Sequence, residues 1–179
     1  MYAYCLFCQT QKCGYIARAL EKRGVLRAFS PQIIKRQRVQ GKNIERLYDL
    51  LPGYVFVFVE EKLLDFSIFF GIDGLIRRLG IPENYYLLTD GDYDFAMRLY
   101  QKNGLIGQVA VYKIGDTVRL EDPLFAGCEG RITRIDYKKQ RARVDYHFAG
   151  MSCYTWIACE LISAAERQDG KSLMADQAK

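Results

Sequence analysis

The chain has 179 residues, half of them hydrophobic, and a net charge of +5 at neutral pH. This composition excludes a wholly disordered protein, and six cysteines are too few for a disulfide-dense scaffold. The first residues lack the basic segment of a signal peptide, and the apolar run from Tyr54 to Val59 is far shorter than the roughly 20 residues that cross a bilayer. We therefore expect a soluble, cytoplasmic protein of a reducing compartment with no membrane partner.

The amino-terminal half alternates short strands with helices. Apolar residues at helical spacing follow an aromatic opening strand, and Gly24 ends this helix. The nearly continuous apolar segment after Gly53 predicts a central strand buried on both faces. In chain order the pattern predicts a strand over 2–9, a helix over 13–23, a hairpin with arms 28–39 and 43–50, a strand over 53–60, a helix over 62–70, a strand over 75–79, and a helix over 89–102 capped by Thr89 or Asp90. Together these elements predict an α+β fold.

The carboxyl-terminal half shows only strand patterns. Residues 112–138 are typical of two strands around a glycine-punctuated loop, and 142–146 and 152–156 follow as further strands. Residues 103–107 are predicted to form a short linker before them. This region predicts a small barrel, which is usually a binding module.

Positive charge is concentrated in two stretches. Residues 35–46 hold five basic residues and one acidic residue, and residues 131–143 hold six basic residues and one acidic residue. Basic residues clustered on short hairpins suit a polyphosphate partner, because each neutralised phosphate releases counterions. The alternative is that they only solvate exposed hairpin faces, as charge runs usually do. Two such stretches in one small chain favour nucleic acid.

Catalytic and metal chemistry have little support in the sequence. His147 is the one histidine, so no second imidazole completes a dyad. Cys5 and Cys8 form a C-x-x-C pair with Cys13 nearby, but a strand points alternate residues to opposite faces and no second pair completes four ligands. We therefore expect no catalytic residue, no metal and no cofactor, and thus a protein that is not an enzyme.

Two motifs resemble the NusG family of transcription factors. The segment Pro52-Gly-Tyr-Val-Phe-Val57 is similar to the Pro-Gly-Tyr strand of the NusG amino-terminal domain. Residues 114–118, 123–126 and 129–132 (Ile-Gly-Asp-Thr-Val, Pro-Leu-Phe-Ala and Glu-Gly-Arg-Ile) are similar to its KOW domain. The two motifs occur in the family's order, and the resemblance covers residues 1–162.

The resemblance implies a division of the chain. A NusG-type amino-terminal domain, an antiparallel sheet flanked by helices, would occupy residues 1–103 and bind RNA polymerase. A linker over 104–111 would lead to a small all-β KOW barrel over 112–162, followed by a flexible tail over 163–179. Proteins of this family bind bacterial RNA polymerase and act on pausing or termination.

The resemblance also implies a polymerase-binding surface. In the family, a hydrophobic surface of the amino-terminal domain grips the clamp helices of the largest polymerase subunit. Aromatic side chains suit such recognition, because they bury a large area at a small entropic cost. The matching positions in this sequence are Tyr4, Pro52, Gly53, Tyr54 and Phe56. Tyr4 and Tyr54 are the stronger candidates, whereas a residue of the central strand such as Phe56 has the alternative of facing the core.

Two nucleic-acid contacts are predicted in addition. By resemblance the first basic hairpin lies near non-template DNA, and Arg36, Arg38 and Lys42 are its candidate phosphate contacts. In the KOW region, basic residues interleaved with Tyr137 and Tyr154 are typical of a surface for nascent or leader RNA, while Tyr146 and Trp156 are predicted to face the core. The candidate RNA-binding residues are Arg131, Arg134, Lys138, Lys139, Arg141 and Arg143. In general family members this domain instead docks to ribosomal or termination-factor proteins.

Departures from the family pattern favour a specialised paralogue, LoaP-like or RfaH-like. Tyr4 stands where a tryptophan is expected, residues 138–143 are unusually basic, and residues 148–156 do not follow the usual pattern closely. The implied function is transcription antitermination. Two alternatives remain open: a general NusG-type elongation factor, and a KOW-type RNA-binding protein associated with the ribosome.

Overall fold

The computed structural model describes residues 1–40, 42–114, 117–120 and 132–162. Two α-helices and twelve strands lie in this part of the chain. They are β1 (Tyr2–Cys8), α1 (Cys13–Lys22), β2 (Arg27–Phe29), β3 (Gln32–Val39), β4 (Lys42–Asp49), β5 (Tyr54–Val59), β6 (Leu75–Arg78), α2 (Asp90–Gln101), β7 (Leu105–Ile106), β8 (Val109–Ile114), β9 (Thr117–Leu120), β10 (Ile132–Asp136), β11 (Arg141–Phe148) and β12 (Met151–Ile162).

The chain forms two compact units. The first contains Met1–Ile33, Leu47–Ile106 and the short segment His147–Met151. The second contains Ile34–Arg46, Gly107–Tyr146 and the chain from Ser152 onward. The boundaries 1–103, 104–111, 112–162 and 163–179 stay a prediction, and β7 and the start of β8 lie within the segment predicted as linker.

A four-stranded antiparallel sheet, in the order β2-β5-β1-β6, is the centre of the first unit. On one face Val55 and Val57 of β5 pack with Leu6 of β1 against Ile16 and Leu20 of α1. On the other face the aromatic residues of β5 meet α2: the ring centroids of Phe56 and Phe95 are 6.4 Å apart. The predicted burial of β5 on both faces is confirmed, because every residue from Val55 to Val59 is buried.

The helix predicted over 62–70 is wrong. This segment is irregular except for one 3-10 turn, Ser67–Phe69. The Asp65 carboxylate accepts hydrogen bonds from the backbone N–H and the hydroxyl of Ser67. This local arrangement competes with helix formation. The Arg23 guanidinium donates hydrogen bonds to the carbonyls of Ile68 and Phe70, both 2.7 Å long. Tertiary packing of apolar side chains against the sheet thus overrides the helical spacing.

The predicted basic hairpin exists, but its first arm is shorter than expected. Residues 28 and 29 belong to β2, which pairs with β5, and the hairpin strand β3 begins only after Pro31. A proline lacks the N–H that a continuous strand needs. At its base, β3 pairs in parallel with β7 through Gln32 and Ile33.

The second unit is built on a five-stranded sheet in the order β10-β11-β12-β8-β9. Within β11, Ala142, Val144 and Tyr146 are buried, whereas Arg141 and Arg143 lie on the other face and are partly exposed. The predicted core position of Tyr146 is therefore confirmed, while Trp156 is only half-buried. Among the described residues β9 and β10 are the end strands, so closure into a barrel stays a prediction.

Across the residues that the structure describes, neither helix combines the length and the apolar character needed to cross a membrane.

Candidate protein- and nucleic-acid-binding surfaces

Four of the predicted polymerase-binding residues lie around the start of β5: Pro52 and Gly53 in the turn before it, and Tyr54 and Phe56 in the strand. Pro52 is exposed, Tyr54 is half-buried, and Phe56 is completely buried. Tyr54 packs against Phe7 of β1, with ring centroids 5.4 Å apart. Of the predicted residues in this segment, only Pro52 and part of Tyr54 are therefore accessible, while Phe56 belongs to the core beneath the surface.

Gly53 shapes the turn before this strand. Its φ of +86° is a conformation that other L-residues rarely adopt. A Cβ atom there would lie 3.0 Å from the carbonyl oxygen of Cys8 and 3.2 Å from the ring of Phe7. The Cys8 N–H donates a 2.7 Å hydrogen bond to the Gly53 carbonyl, so the turn is tied directly to β1. Glycine at this position thus allows the backbone contact that positions Tyr54.

Tyr4 lies apart from the other four residues. It is 1% exposed and points to the opposite face of the sheet, where its ring makes edge contacts with Phe66 and Phe69. Its hydroxyl oxygen accepts a 2.9 Å hydrogen bond from the Leu63 N–H. Burial raises the pKa of Tyr4, and the Leu63 hydrogen bond offsets part of this effect. The structure thus places Tyr4 in the core and not on the exposed surface predicted for it.

The segment His147–Met151 covers the aromatic face of β5 within the first unit. Phe148 is completely buried, with its ring centroid 5.2 Å from Phe56, 5.6 Å from Phe95 and 6.2 Å from Tyr54. The Tyr54 hydroxyl lies 3.7 Å from the sulfur of Met151. Aromatic contacts at these separations stabilise a pair beyond the burial of area alone.

Asp92 fixes this segment through the backbone. Both carboxylate oxygens accept from the Ala149 N–H, at 3.0 and 3.1 Å. Ala149 and Gly150 form a tight turn with φ values of +50° and +73°. Hydrogen bonds to a charged acceptor are stronger than neutral ones. The segment His147–Met151 is therefore held by the apolar contacts of Phe148 and by the hydrogen bonds of Asp92.

The basic hairpin carries the predicted DNA contacts. Arg36 and Arg38 lie on β3 and Lys42 begins β4, but their side chains are outside the described part of the structure. Lys35, on the same hairpin, is partly buried, and this burial together with the nearby charge of Arg141 lowers its pKa.

The predicted RNA-binding residues of the second unit lie on β10, β11 and their connecting turn. Arg141 stacks on Trp156 and Arg143 on Tyr154, with guanidinium carbons 4.5 and 4.1 Å from the ring centroids. We call these four residues the arginine–aromatic ladder. The remaining candidates Arg134, Lys138 and Lys139 are exposed, and Arg131 lies outside the described residues, as does most of the KOW-like segment 114–132.

Two carboxylates hold the ladder in place. Arg141 pairs with Asp136 at 3.3 Å, and Arg143 pairs with Asp145 at 2.9 Å. Burial alone would raise the pKa of Asp136, but the Lys139 N–H and the Arg141 guanidinium outweigh it and hold this pKa below its ordinary value. The two guanidiniums are therefore oriented before any ligand arrives, with their stacked faces beside partly exposed rings.

The cysteines do not form a metal site in the described residues, where no group of three metal-ligating side chains comes together. Cys5 and Cys8 occupy β1 and are buried free thiols. Burial raises the pKa of both, in Cys8 to about 12. Such thiols are unreactive at neutral pH, and His147 is exposed at the end of β11.

The architecture is that of small proteins that combine an α+β unit, here with a covered aromatic face, and an all-β unit, here with a cationic surface. No protein-family model matches the sequence. Over 128 residues the chain is 26% identical to the transcription termination/antitermination protein NusG of Buchnera aphidicola subsp. Baizongia pistaciae (strain Bp), a match that covers 69% of this chain and 68% of that protein.

The fold is similar to a solved structure described as domain interaction in Thermotoga maritima NusG. The TM-score is 0.52 at 18% sequence identity, and the match covers 87% of this chain and 92% of that one. The chain is thus similar in sequence to one NusG protein and shares its fold with another.

Sequence reasoning missed Phe148 as part of the aromatic surface. It lies in a strand with regular alternation, which gives no indication of a contact with β5, more than ninety residues earlier in the chain. The departure of residues 148–156 from the family pattern is the signal that marks this region.

Proposed function

We propose that this protein is a transcription antitermination or processivity factor that binds bacterial RNA polymerase and suppresses pausing or termination. It is not an enzyme in this proposal, and it acts in the cytoplasm through protein and nucleic-acid contacts alone. The relative in Buchnera is named for termination and antitermination of transcription. Residues 1–103 would bind polymerase, and residues 112–162 would bind RNA.

The observation that carries the proposal is the extent of the fold similarity. A match over 87% of the chain extends into both compact units, whereas a KOW motif alone also occurs in ribosomal proteins. By resemblance, the segment from Pro52 to Phe56 would correspond to the part of the family's amino-terminal domain that binds the polymerase clamp helices. Agreement of fold, motif and order in one chain is stronger support than any of the three alone.

The polymerase contact would centre on Tyr54, with Pro52 beside it. A half-buried tyrosine presents a large ring to a partner while keeping its hydroxyl accessible to water. Phe56 and Tyr4 would act by supporting the sheet from its two faces, since both are buried. Full access to Tyr54 requires the segment His147–Met151 to leave the aromatic face. Polymerase would therefore compete with Phe148 for the same rings.

The RNA contact would centre on the arginine–aromatic ladder. Arginines that track phosphates beside rings that stack on bases are typical of single-stranded RNA recognition. Arg134, Lys138 and Lys139 would add phosphate contacts along the neighbouring turn. By resemblance to the family, Arg36, Arg38 and Lys42 of the β3–β4 hairpin would contact the phosphates of non-template DNA.

The proposal is tested by in vitro transcription with purified bacterial RNA polymerase through an intrinsic terminator. We expect the wild-type protein to increase read-through, and Tyr54→Ala to lose this effect while its far-ultraviolet circular dichroism stays native. Tyr15→Ala is the matched control, because Tyr15 is an exposed tyrosine on α1 of the same unit. Equal read-through with and without the wild-type protein would contradict antitermination.

Two other functions give different outcomes in the same assay. A general NusG-type elongation factor would bind polymerase and change elongation on every template without preference for one leader sequence. A KOW-type ribosome-associated protein would leave transcription unchanged and sediment with ribosomes. The exposed cationic surface of the second unit is the feature that favours the ribosome-associated alternative.

A further inference from the structure

An open groove lies beside the end strand of the four-stranded sheet, and the guanidinium carbon of Arg77 in its lining is 5.8 Å from the ring centroid of Phe7, which packs against Tyr54. Its volume is about 320 Å³, and its lining includes Phe69, Phe70, Ile76 and Tyr86 together with Arg77 and Arg78. All of these residues belong to the first unit. Strand β6, whose four residues all line the groove, is the last strand of the sheet order.

The apolar side chains of this groove are unusually exposed. Phe70 is 67% exposed and Ile76 is 56% exposed. Scattered apolar residues are normal on a protein surface, but a contiguous group beside a concavity marks an interaction site. The groove therefore has the shape and polarity of a docking surface for one or two apolar side chains.

The charge of the groove selects an acidic partner. Both charged residues of its lining are arginines. The Arg78 guanidinium lies 4.4 Å from the ring centroid of Phe66 and 4.5 Å from that of Tyr86, which holds it in a fixed orientation. Within the described residues neither Arg77 nor Arg78 forms a salt bridge. Because Arg77 stacks on Phe7 and Arg78 on Phe66 and Tyr86, the two guanidiniums lie on opposite faces of the sheet, and two separate carboxylates would be needed to pair with them through charge-assisted hydrogen bonds.

The backbone of β6 is also available on this side. The Leu79 N–H donates a 2.8 Å hydrogen bond to the Cys5 carbonyl, so residue 79 faces β1. In an antiparallel ladder successive residues alternate between the two sides, so the N–H and C=O of Arg78 point to the open edge. An extended peptide can add to such an edge as a further strand.

We propose that the β6 edge binds an acidic, extended peptide segment of a partner protein. The peptide backbone pairs with Arg78, an apolar side chain enters the groove beside Phe70 and Ile76, and flanking carboxylates meet Arg77 and Arg78. This site goes beyond polymerase and RNA binding, because it uses neither the aromatic face of β5 nor the arginine–aromatic ladder.

The test measures fluorescence anisotropy of a short labelled peptide that alternates glutamate with valine around one central phenylalanine. The full-length protein is titrated in, and two control peptides carry lysine in place of glutamate or N-methyl groups on alternate backbone nitrogens. The variants are Arg77→Glu with Arg78→Glu, and separately Phe70→Ser. The matched control is Arg18→Glu with Lys22→Glu, which makes the same change of charge at two exposed positions on α1.

We expect saturable binding of the acidic peptide that weakens at least about tenfold in both groove variants and stays unchanged in the α1 control. Both control peptides should bind at least about tenfold more weakly, because one loses charge complementarity and the other loses backbone pairing. Phe70→Ser keeps the test decisive if the loss of Arg78 disturbs folding, since Phe70 is largely exposed.

Three results would overturn the proposal. The first is absence of saturable binding by the acidic peptide. The second is binding that is equal in the groove variants and the wild type. The third is binding of a single-stranded RNA oligonucleotide that is lost on Arg77→Glu with Arg78→Glu while the acidic peptide does not bind, which would make the groove a nucleic-acid site.

Discussion

The two candidate interfaces of this protein differ in how much of them is open. The aromatic face around Tyr54 and Phe56 is covered by Phe148 of the same chain, whereas the arginine–aromatic ladder is partly exposed and already oriented by two carboxylates. The difference follows from the cost of leaving each surface in water. Exposing an apolar surface to water is unfavourable, so burial of that surface by Phe148 stabilises the fold. A guanidinium surface, in contrast, remains hydrated at little cost in free energy.

This difference predicts that the two sites respond to their ligands in different ways. Binding at the aromatic face has to displace an existing contact, so its apparent affinity is lowered by the free energy of that contact. Binding at the ladder displaces only water and counterions, so it depends chiefly on salt. The variants below separate the two cases.

The largest effect is expected for Tyr4, which stabilises the sheet from the face opposite Tyr54. Tyr4→Ala should lower the free energy of unfolding by about 3–5 kcal/mol, because it removes a fully buried ring. Tyr4→Phe should lower it by only about 1 kcal/mol, through loss of the hydrogen bond from the Leu63 N–H. Urea denaturation measures both. A stability of Tyr4→Ala equal to that of Tyr15→Ala would show that Tyr4 is exposed in solution.

The second-largest effect concerns Phe148, which covers the aromatic face of β5. Phe148→Ala should strengthen binding to RNA polymerase at least about tenfold, because it removes most of the aromatic contact that polymerase has to displace. Asp92→Ala should strengthen it less, since only the hydrogen bonds to the Ala149 N–H are lost. Surface plasmon resonance with immobilised polymerase measures the change. An affinity unchanged in both variants would mean that Tyr54 and Phe148 do not compete.

The third effect concerns the ladder. Arg141→Ala with Arg143→Ala should weaken binding of a short single-stranded RNA about tenfold and reduce the slope of log K against log salt by about 1.4, as expected for two lost phosphate contacts. The charge-conserving pair Arg141→Lys with Arg143→Lys should keep the salt slope but lose part of the affinity, because lysine does not stack as arginine does. Equal slopes in the wild type and the alanine variant would exclude phosphate contacts at these positions.

The smallest effect is a pH dependence at Asp136. Because its pKa is lower in the folded protein than its ordinary value of 3.8, the charged form contributes stability above that pH. This contribution is lost as the pH falls through the folded pKa. Asp136→Asn should therefore melt at a lower temperature than the wild type at pH 7, and the difference should shrink below pH 3.8. A difference that persists unchanged at acidic pH would exclude the carboxylate as its cause.

Much of the fold was predictable because strong local patterns determined it. The valine-rich strand at 54–59, the two amphipathic helices and the alternation in β11 appear in the structure close to their predicted bounds. The helix predicted over 62–70 failed because its apolar residues serve tertiary contacts of Tyr4 and the sheet. Spacing along the chain cannot distinguish those two uses.

The candidate sites were less predictable than the fold. Clustered charge identified Arg141 and Arg143 as candidates, and the structure places both on one face of β11 and adds their rings and carboxylates. The burial of Tyr4 and the cover by Phe148 depend on contacts between residues far apart in sequence. No local pattern specifies such contacts.

The most direct test of the central claim is co-purification of the tagged full-length protein with RNA polymerase from a lysate of its source organism. Wild type, Tyr54→Ala and Tyr15→Ala are compared, and polymerase subunits are quantified against ribosomal proteins by mass spectrometry. We expect polymerase to be enriched by the wild type and by Tyr15→Ala, and to be lost with Tyr54→Ala. Enrichment of ribosomal proteins without polymerase, or polymerase retained equally by Tyr54→Ala, would contradict a polymerase-bound factor that uses this face.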